Sequence, residues 1–75
     1  MQPYKNVSGQ SGIVAFEPGD NYIDIEFKRG SRYRYDYRVP GRREVETMKR
    51  LAQRGEDLAT FINKYVRGRF AKKLR

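Results

Sequence analysis

Two runs of alternating side chains, joined by a short glycine-containing link, constrain the fold of this chain more than any other feature. Within residues 22–28, apolar side chains at positions 23, 25 and 27 alternate with charged ones. Within residues 32–38, tyrosines at positions 33, 35 and 37 alternate with arginines and an aspartate. A period of two is typical of a β-strand with one buried face. The two runs therefore predict an antiparallel β-hairpin.

The link between the runs decides which way the tyrosines point, because a shift of one residue turns every side chain to the other face. A two-residue Arg-Gly turn would put them on the polar face, but it requires a positive φ at the arginine. A three-residue loop over 28–30 needs only its glycine in the left-handed region. That loop sets Tyr33 opposite Ile25. It also sets Tyr35 opposite Ile23. The expected core face of the sheet is Val14, Phe16, Ile23, Ile25, Phe27, Tyr33 and Tyr35.

The rest of the chain predicts one more strand and two helices. A strand is expected over residues 12–17, followed by turn residues. Apolar residues recur at helical spacing over about 41–54, and Gly55 is expected to end that helix. A second helix should follow Glu56 and Asp57, which would cap it; its apolar face is Leu58, Phe61, Ile62, Tyr65 and Val66. The predicted fold class is α+β, a three-stranded antiparallel β-meander followed by two helices on one face.

The two ends of the chain show no periodicity. Residues 1–10 are polar and contain proline and glycine, so they predict a mobile leader. Residues 71–75 predict a basic tail, for which Phe70 and Leu74 could serve as anchors. Between them, residues 11–70 form the single domain that a chain of this length predicts.

Two missing residue types exclude several kinds of functional site. With neither cysteine nor histidine, the chain has no disulfide framework, no thiolate or imidazole zinc site, and no nucleophile or base that depends on those side chains. A catalytic site would have to use carboxylates, Lys, Arg, Tyr and Ser alone. Asp24 and Glu26 could hold a hard cation, but neighbouring arginines favour ion pairs there. We therefore expect a protein that is not an enzyme and has no metal or cofactor.

No segment predicts secretion or a membrane location. The chain lacks the apolar run of a signal peptide and any run long enough to span a bilayer. Its basic amphipathic helices could suit an anionic membrane surface, but their apolar stripes are narrow and are needed for the core. The expected location is the cytoplasm, with no membrane partner.

The positive charge of the chain lies entirely in its second part. Residues 1–31 hold three basic and four acidic side chains, net −1, whereas residues 32–75 hold fourteen basic and five acidic ones, net +9. A field of this sign attracts polyanions, of which nucleic acid is the commonest in a cytosol. The candidate nucleic-acid contacts are Arg34, Arg38, Arg42, Arg43, Lys64, Arg67, Arg69, Lys72 and Lys73. Their alternative role is a solvated, solubilising surface with weak ion pairs.

The tyrosines also have two interpretations. Strand aromatics can stack on unpaired bases, but in a small chain without tryptophan, buried tyrosine rings with their hydroxyls at the rim fill the core. We expect the second role for Tyr33 and Tyr35, and the sequence leaves Tyr37 open. Tyr22 has the polar-face parity and is the better candidate for stacking.

Several segments taken together resemble one family. They are residues 11–17, residues 25–31, the Tyr-Arg-Tyr triplet at 33–35, Val39-Pro40, residues 61–63 and residues 66–70. In order and spacing they resemble the KTSC domain, a short module found at the C-terminus of some lysyl-tRNA synthetases and as a free-standing bacterial or phage protein. The resemblance covers about residues 8–70, and its most specific element is the Tyr-x-Tyr preceded by Gly30. The chain departs from the pattern in its charged residues 53–57 and in a longer link after the triplet.

The resemblance implies RNA binding, which is suspected for the family from its fusion context, although the family's function is not established. Together with the basic second part, it leads us to expect a small non-enzymatic module that binds RNA or single-stranded nucleic acid, mainly through phosphates. The alternative is a protein-interaction module that docks through its sheet face or a strand edge.

Overall fold

The structure, a computed structural model, describes all 75 residues and contains five strands and two helices. The strands are β1 (Gln2–Pro3), β2 (Ile13–Pro18), β3 (Tyr22–Phe27), β4 (Arg32–Asp36) and β5 (Lys72–Lys73). The helices are α1 (Arg42–Arg54) and α2 (Leu58–Phe61), and α2 continues as a π-helical segment over Ile62–Val66. All five strands form one antiparallel sheet in the order β1-β2-β3-β4-β5. The α+β class is confirmed, but the predicted number of three strands is wrong.

The β3–β4 hairpin has the predicted register. Tyr35 lies opposite Ile23, and Tyr33 lies opposite Ile25. The Phe27 N–H donates to the Ser31 carbonyl at 2.9 Å, which leaves a three-residue loop over 28–30. Gly30 in that loop has φ +91°, a conformation that glycine adopts without strain. The turn chemistry of the link therefore decides the face on which the tyrosines lie.

The core lies between one face of the sheet and the two helices. Tyr35 is 3% exposed, whereas Tyr33 and Phe27 are half-buried and pack against the edge of the core. Twelve apolar side chains are buried: Tyr4, Ile13, Phe16, Ile23, Ile25, Tyr35, Val45, Met48, Ala52, Leu58, Ile62 and Val66. The placement of Tyr35 in the core is confirmed, and Tyr33 lies at the core's margin.

Strand β2 differs from the prediction at Val14. The pairing register shifts between Ile13 and Ala15, which pair with Phe27 and Glu26 respectively. Val14 is the extra residue of this β-bulge, so the alternation reverses across it. Ile13 is consequently buried at 1% exposure, and Val14 is 41% exposed. The prediction that Val14 belongs to the core is wrong.

The N-terminal residues have fixed contacts in the structure where the sequence predicted a mobile leader. Strand β1 pairs with β2, and Tyr4 is buried in the core. The Tyr4 hydroxyl accepts a hydrogen bond from the Leu58 N–H at 3.3 Å, and the Val7 N–H donates to the Gly55 carbonyl at 2.8 Å. These contacts tie the segment to the connection between α1 and α2. Tyr4 thus supplies a partner for an N–H at the start of α2 that the helix itself leaves free.

Helix α1 follows the prediction closely. Val45, Met48 and Ala52 are buried on its sheet-facing stripe. Gly55 adopts the left-handed conformation at φ +78°, and its N–H donates to the Leu51 carbonyl. This is the glycine termination that the sequence predicts.

The second helix differs in two ways from the prediction. Asp57 stands at its N-cap but makes no side-chain capping hydrogen bond. Tyr65, predicted on the buried face, is 54% exposed, while Leu58, Ile62 and Val66 are buried. The wider i→i+5 turn of the π-helical segment brings Val66 nearly above Ile62 and leaves Tyr65 pointing outward. Neither helical region is both long and apolar enough to cross a bilayer.

Residues 69–75 add a strand to the sheet where the sequence predicted a basic tail. Tyr33 pairs with Lys73 and Arg34 pairs with Lys72 along the edge of β4. The Phe70 ring packs against Tyr33 with 4.6 Å between centroids, as the predicted anchor. Without this strand, β4 would present unpaired N–H and C=O groups to solvent. The two lysines of β5 pair with that edge and protect it.

Candidate nucleic-acid interface

The sheet face that the helices leave uncovered is charged, but its charges pair with one another. Arg34 donates from Nε and Nη2 to the two carboxylate oxygens of Asp24, at 2.8 and 2.9 Å. Its guanidinium also lies over the Tyr22 ring, 4.1 Å from the centroid. The hydrogen bond to Asp24 raises the pKa of Arg34 above its usual value. Arg34, a predicted contact, is therefore engaged within the fold, and Tyr22 has one ring face covered.

A second ion pair lies beside the first. Arg32 Nη2 is 3.5 Å from the Glu26 carboxylate, directly across the hairpin. The two pairs use acidic residues of β3 to neutralise arginines of β4, as the alternation of charges predicts. This face of the sheet offers little free positive charge to a polyanion.

Most of the other predicted cations are free. Acidic side chains pair elsewhere: Glu46 with Lys49, and both Glu56 and Asp57 with Arg54. Seven of the nine predicted residues are exposed and make no ion pair or side-chain hydrogen bond: Arg38, Arg42, Arg43, Lys64, Arg67, Lys72 and Lys73. Arg69 is also exposed, and its Nη2 donates to the Pro40 carbonyl at 3.2 Å. The structure thus removes one predicted residue from the free set and constrains another.

Five candidate cations belong to the region of the N-terminal end of α1, and we call them the helix-end surface: Arg38, Arg42, Arg43, Lys64 and Arg69. Arg38 precedes the helix by a few residues, Arg69 bonds to the Pro40 carbonyl, and Lys64 lies beside Tyr65, which shares a depression with Arg43. Arg42 and Arg43 occupy the first turn of α1, where the helix dipole disfavours positive side chains and favours anions. Arg43, Phe61 and Tyr65 line a shallow depression of about 260 Å³ with Glu44 and Thr47. Lys64 Nζ lies 5.4 Å from the Tyr65 ring centroid.

Tyr37, whose role the sequence left open, contacts two residues of α1. Its hydroxyl donates to Glu46 Oε2 at 2.7 Å, and its ring packs partly against the core. The hydrogen bond raises the pKa of Tyr37 and lowers the pKa of Glu46. The Arg42 guanidinium lies 5.5 Å from the Tyr37 ring centroid. Tyr37 therefore joins the link after β4 to α1 and is not a free stacking ring.

A second basic region lies at the loop end of the β3–β4 hairpin, and we call it the hairpin cleft. It is an open cleft of about 710 Å³ lined by Gly12, Phe27, Lys28, Arg29, Ser31, Tyr33 and Arg67. Three of these residues are cations and none is a carboxylate. Of the predicted contacts only Arg67 lines it, and Lys73 approaches it with Nζ 5.9 Å from the Tyr33 ring centroid.

Phe27 and Tyr33 form the aromatic floor of the hairpin cleft, and neighbouring rings hold them in place. Phe27 meets Tyr33 edge to face, with 5.9 Å between centroids. Tyr33 also contacts Phe70, with 4.6 Å between centroids. Both rings that line the cleft are partly buried, so each packs on the core and still has surface accessible to solvent. The choice between a core role and a ligand-facing role for Tyr33 is therefore not exclusive.

Lys28 and Arg29 line the hairpin cleft, although neither was among the nine predicted contacts. The sequence assigns them to a turn, and turn residues are expected to be polar. The sequence feature that could have identified them is a basic pair immediately before Gly30. This pair lies in the loop whose three-residue length follows from the strand register. The pair gains significance only because the fold brings Arg67 into the same cleft.

Comparison with known proteins does not identify this arrangement of side chains. The chain matches no protein-family model, no curated protein and no solved structure.

Proposed function

We propose that this protein is a small, non-enzymatic module that binds RNA or another single-stranded nucleic acid, mainly through phosphates and with little choice of sequence. The observation that supports this proposal most directly is the supply of free cations. Seven of the nine candidate cations are exposed and have no ion-pair partner, because most of the paired acidic side chains bind other cations; Glu44, which lies beside Arg43, forms no ion pair. Free cations of this kind neutralise phosphates and release condensed counterions.

The position of two of these cations adds support. Arg42 and Arg43 stand at the N-terminal end of a 13-residue helix, against the preference of the helix dipole. A phosphate bound there would interact favourably with both guanidinium groups and the dipole. A bound phosphate would relieve this placement, which Glu44 in the same turn offsets only in part.

The resemblance to the KTSC domain remains part of the proposal. It rests on the order and spacing of the segments around the Tyr-x-Tyr triplet, with Gly30 before it and Val39-Pro40 after it. A bacterial or phage protein acting on RNA in the cytoplasm would agree with that resemblance.

Binding of a fluorescent single-stranded oligonucleotide across a salt series tests the function. We expect an affinity in the low micromolar range at about 50 mM salt, falling steeply toward about 200 mM as counterion release predicts. No binding at the lower salt concentration contradicts the proposal. The same measurement with a neutral-backbone oligonucleotide of identical sequence should give no binding, since it lacks the phosphate charges.

The alternative, a protein-interaction module, has less support. A strand edge is an unfavourable docking site here, because β1 contains Pro3 and β5 consists of two lysines. The uncovered sheet face is occupied by the Asp24–Arg34 and Glu26–Arg32 pairs. A protein partner that remains bound after nuclease treatment and in high salt would favour the alternative.

A further inference from the structure

From the geometry of the hairpin cleft we infer that it takes one unpaired nucleobase of the bound strand, so that the preferred ligand is single-stranded and not duplex. This inference rests on the proposed function and deepens it. The proposed function needs only phosphates, whereas the cleft adds a site for the base itself.

The size and floor of the cleft suit a flat, largely apolar ring. Its volume of about 710 Å³ lies within the range of about 300–1,000 Å³ that is usual for small-ligand sites. Phe27 and Tyr33 supply its aromatic surface, and both remain partly exposed. A base that stacks on aromatic side chains in this way does so whatever its sequence, because every base has a π-face.

The charge of the cleft matches a nucleotide rather than a neutral ring. Lys28, Arg29 and Arg67 all line the cleft, and no carboxylate does. None of the three forms an ion pair. The nearest acidic residue along β3, Glu26, is paired with Arg32. A base on the floor would therefore leave its flanking phosphates beside three free cations.

The same arrangement disfavours a duplex. In a double helix the faces of the bases are stacked on each other, and only their edges reach the grooves. Aromatic side chains reach a base face only when the base is unstacked, as in single strands, loops and ends. An acidic peptide would use the three cations but would leave the aromatic floor without a partner. The lining therefore favours a single-stranded nucleic acid over both alternatives.

The aromatic rings of the cleft are also preorganised, that is, fixed in position before a ligand binds. Tyr33 packs against Phe27 and Phe70, and its strand pairs on one side with β3 and on the other with β5. A site held in this way loses little conformational freedom when it binds a ligand.

The affinities for three ligands of equal length distinguish a base site from phosphate binding alone. The ligands are a single strand, a strand of the same sugars and phosphates without bases, and a duplex. We expect the wild-type protein to bind the abasic strand and the duplex at least about fivefold more weakly than the normal single strand, given the usual worth of one stacked base. Nuclear Overhauser contacts should join base protons to the ring protons of Phe27 or Tyr33.

The variant Tyr33→Leu tests whether the Tyr33 ring contacts the base. Tyr65→Leu is its matched control, because it removes an exposed tyrosine ring beside the helix-end surface. We expect Tyr33→Leu to abolish the difference between normal and abasic strands and Tyr65→Leu to retain it. If Tyr33→Leu does not fold, the double variant Lys28→Gln/Arg29→Gln addresses the same cleft from the solvent side. It should weaken single-strand binding more than Lys5→Gln/Arg50→Gln, which removes equal charge elsewhere.

The results separate the two proposals. If the protein binds no nucleic acid, the proposed function fails and this inference fails with it. If normal and abasic strands bind equally, or a duplex binds as well as a single strand, phosphate binding stands and the base site is overturned. Competition by a poly-glutamate peptide that matches the single strand at equal charge also overturns it.

Discussion

Arg34 and Asp24 face each other across the β3–β4 hairpin and form a two-pronged ion pair with N···O distances of 2.8 and 2.9 Å. Asp24 is only 7% exposed, so its carboxylate depends on this partner. Charged groups that are taken out of water are stable only when they are paired and hydrogen-bonded. The pair makes Arg34 a structural residue on a surface where the sequence alone predicted a ligand contact.

Replacing Arg34 should therefore affect stability and leave nucleic-acid binding nearly unchanged. Arg34→Gln leaves a buried carboxylate without its cation, and we expect a loss of about 1–3 kcal/mol in the free energy of unfolding, discounted because the arginine is partly exposed. Urea denaturation at neutral pH measures this loss. The salt dependence of oligonucleotide binding should stay as in the wild type. A shallower salt dependence with unchanged stability would show that Arg34 contacts phosphate.

Removal of the β5 lysines should have the opposite effect. Lys72 and Lys73 are exposed and unpaired, so Lys72→Gln/Lys73→Gln should change stability by less than about 0.5 kcal/mol. Each phosphate contact to a single strand contributes about 0.7 to the slope of log affinity against log salt, so the slope should fall by about 1.4. The control Lys5→Gln/Arg50→Gln removes two charges outside the candidate regions and should leave the slope nearly unchanged. Equal slopes for the two double variants would mean that net charge alone governs binding.

Alkaline pH should destabilise the protein through Tyr35. Burial raises the pKa of the Tyr35 hydroxyl from 10.0 to about 12. Between these values the unfolded chain loses the proton while the folded chain keeps it, so stability falls as pH rises from 10 to 12. Tyr35→Phe should lose less stability over this interval than the wild type, by urea denaturation at each pH. Some dependence should remain, because burial also raises the pKa of Tyr4. Parallel curves for the two proteins would contradict the prediction.

Two glycines with the same backbone conformation should respond differently to alanine. Gly55 and Gly68 have φ of +78° and +76°, so alanine at either position is strained by roughly 1–2 kcal/mol. A Cβ at Gly68 meets no other atom within 4 Å, whereas a Cβ at Gly55 would overlap the side chain of Lys5. Gly55→Ala should therefore lose at least about 1 kcal/mol more than Gly68→Ala in thermal or urea unfolding. Equal losses would indicate that the N-terminal segment does not pack against the end of α1.

The parts of the fold that were predicted correctly depend on local chemistry. The hairpin register follows from a loop in which only Gly30 needs a positive φ, and α1 follows from its apolar stripe and the glycine at position 55. Each of these features is contained within a few consecutive residues. They could be predicted because residues of those types adopt few other conformations in a tight turn or at the end of a helix.

The parts that were missed depend on contacts between distant segments. Two-residue strands such as β1 and β5 are too short to show a period, and they form only because β2 and β4 present free edges. The bulge at Val14 depends on how β2 pairs with β3. The outward position of Tyr65 depends on a widened turn that keeps Ile62 and Val66 in the core.

The same division applies to the candidate site. The sequence by itself determined the sign and the uneven distribution of charge, together with the β-hairpin that carries the tyrosines, since composition and alternation need no tertiary contact. Only the tertiary structure decided which cations remain free. It pairs Arg34 with Asp24, and it brings Arg67 into one cleft with Lys28 and Arg29, which Phe27 and Tyr33 also line. Charge is a property of residues, but its availability to a ligand depends on which neighbours the fold places within reach.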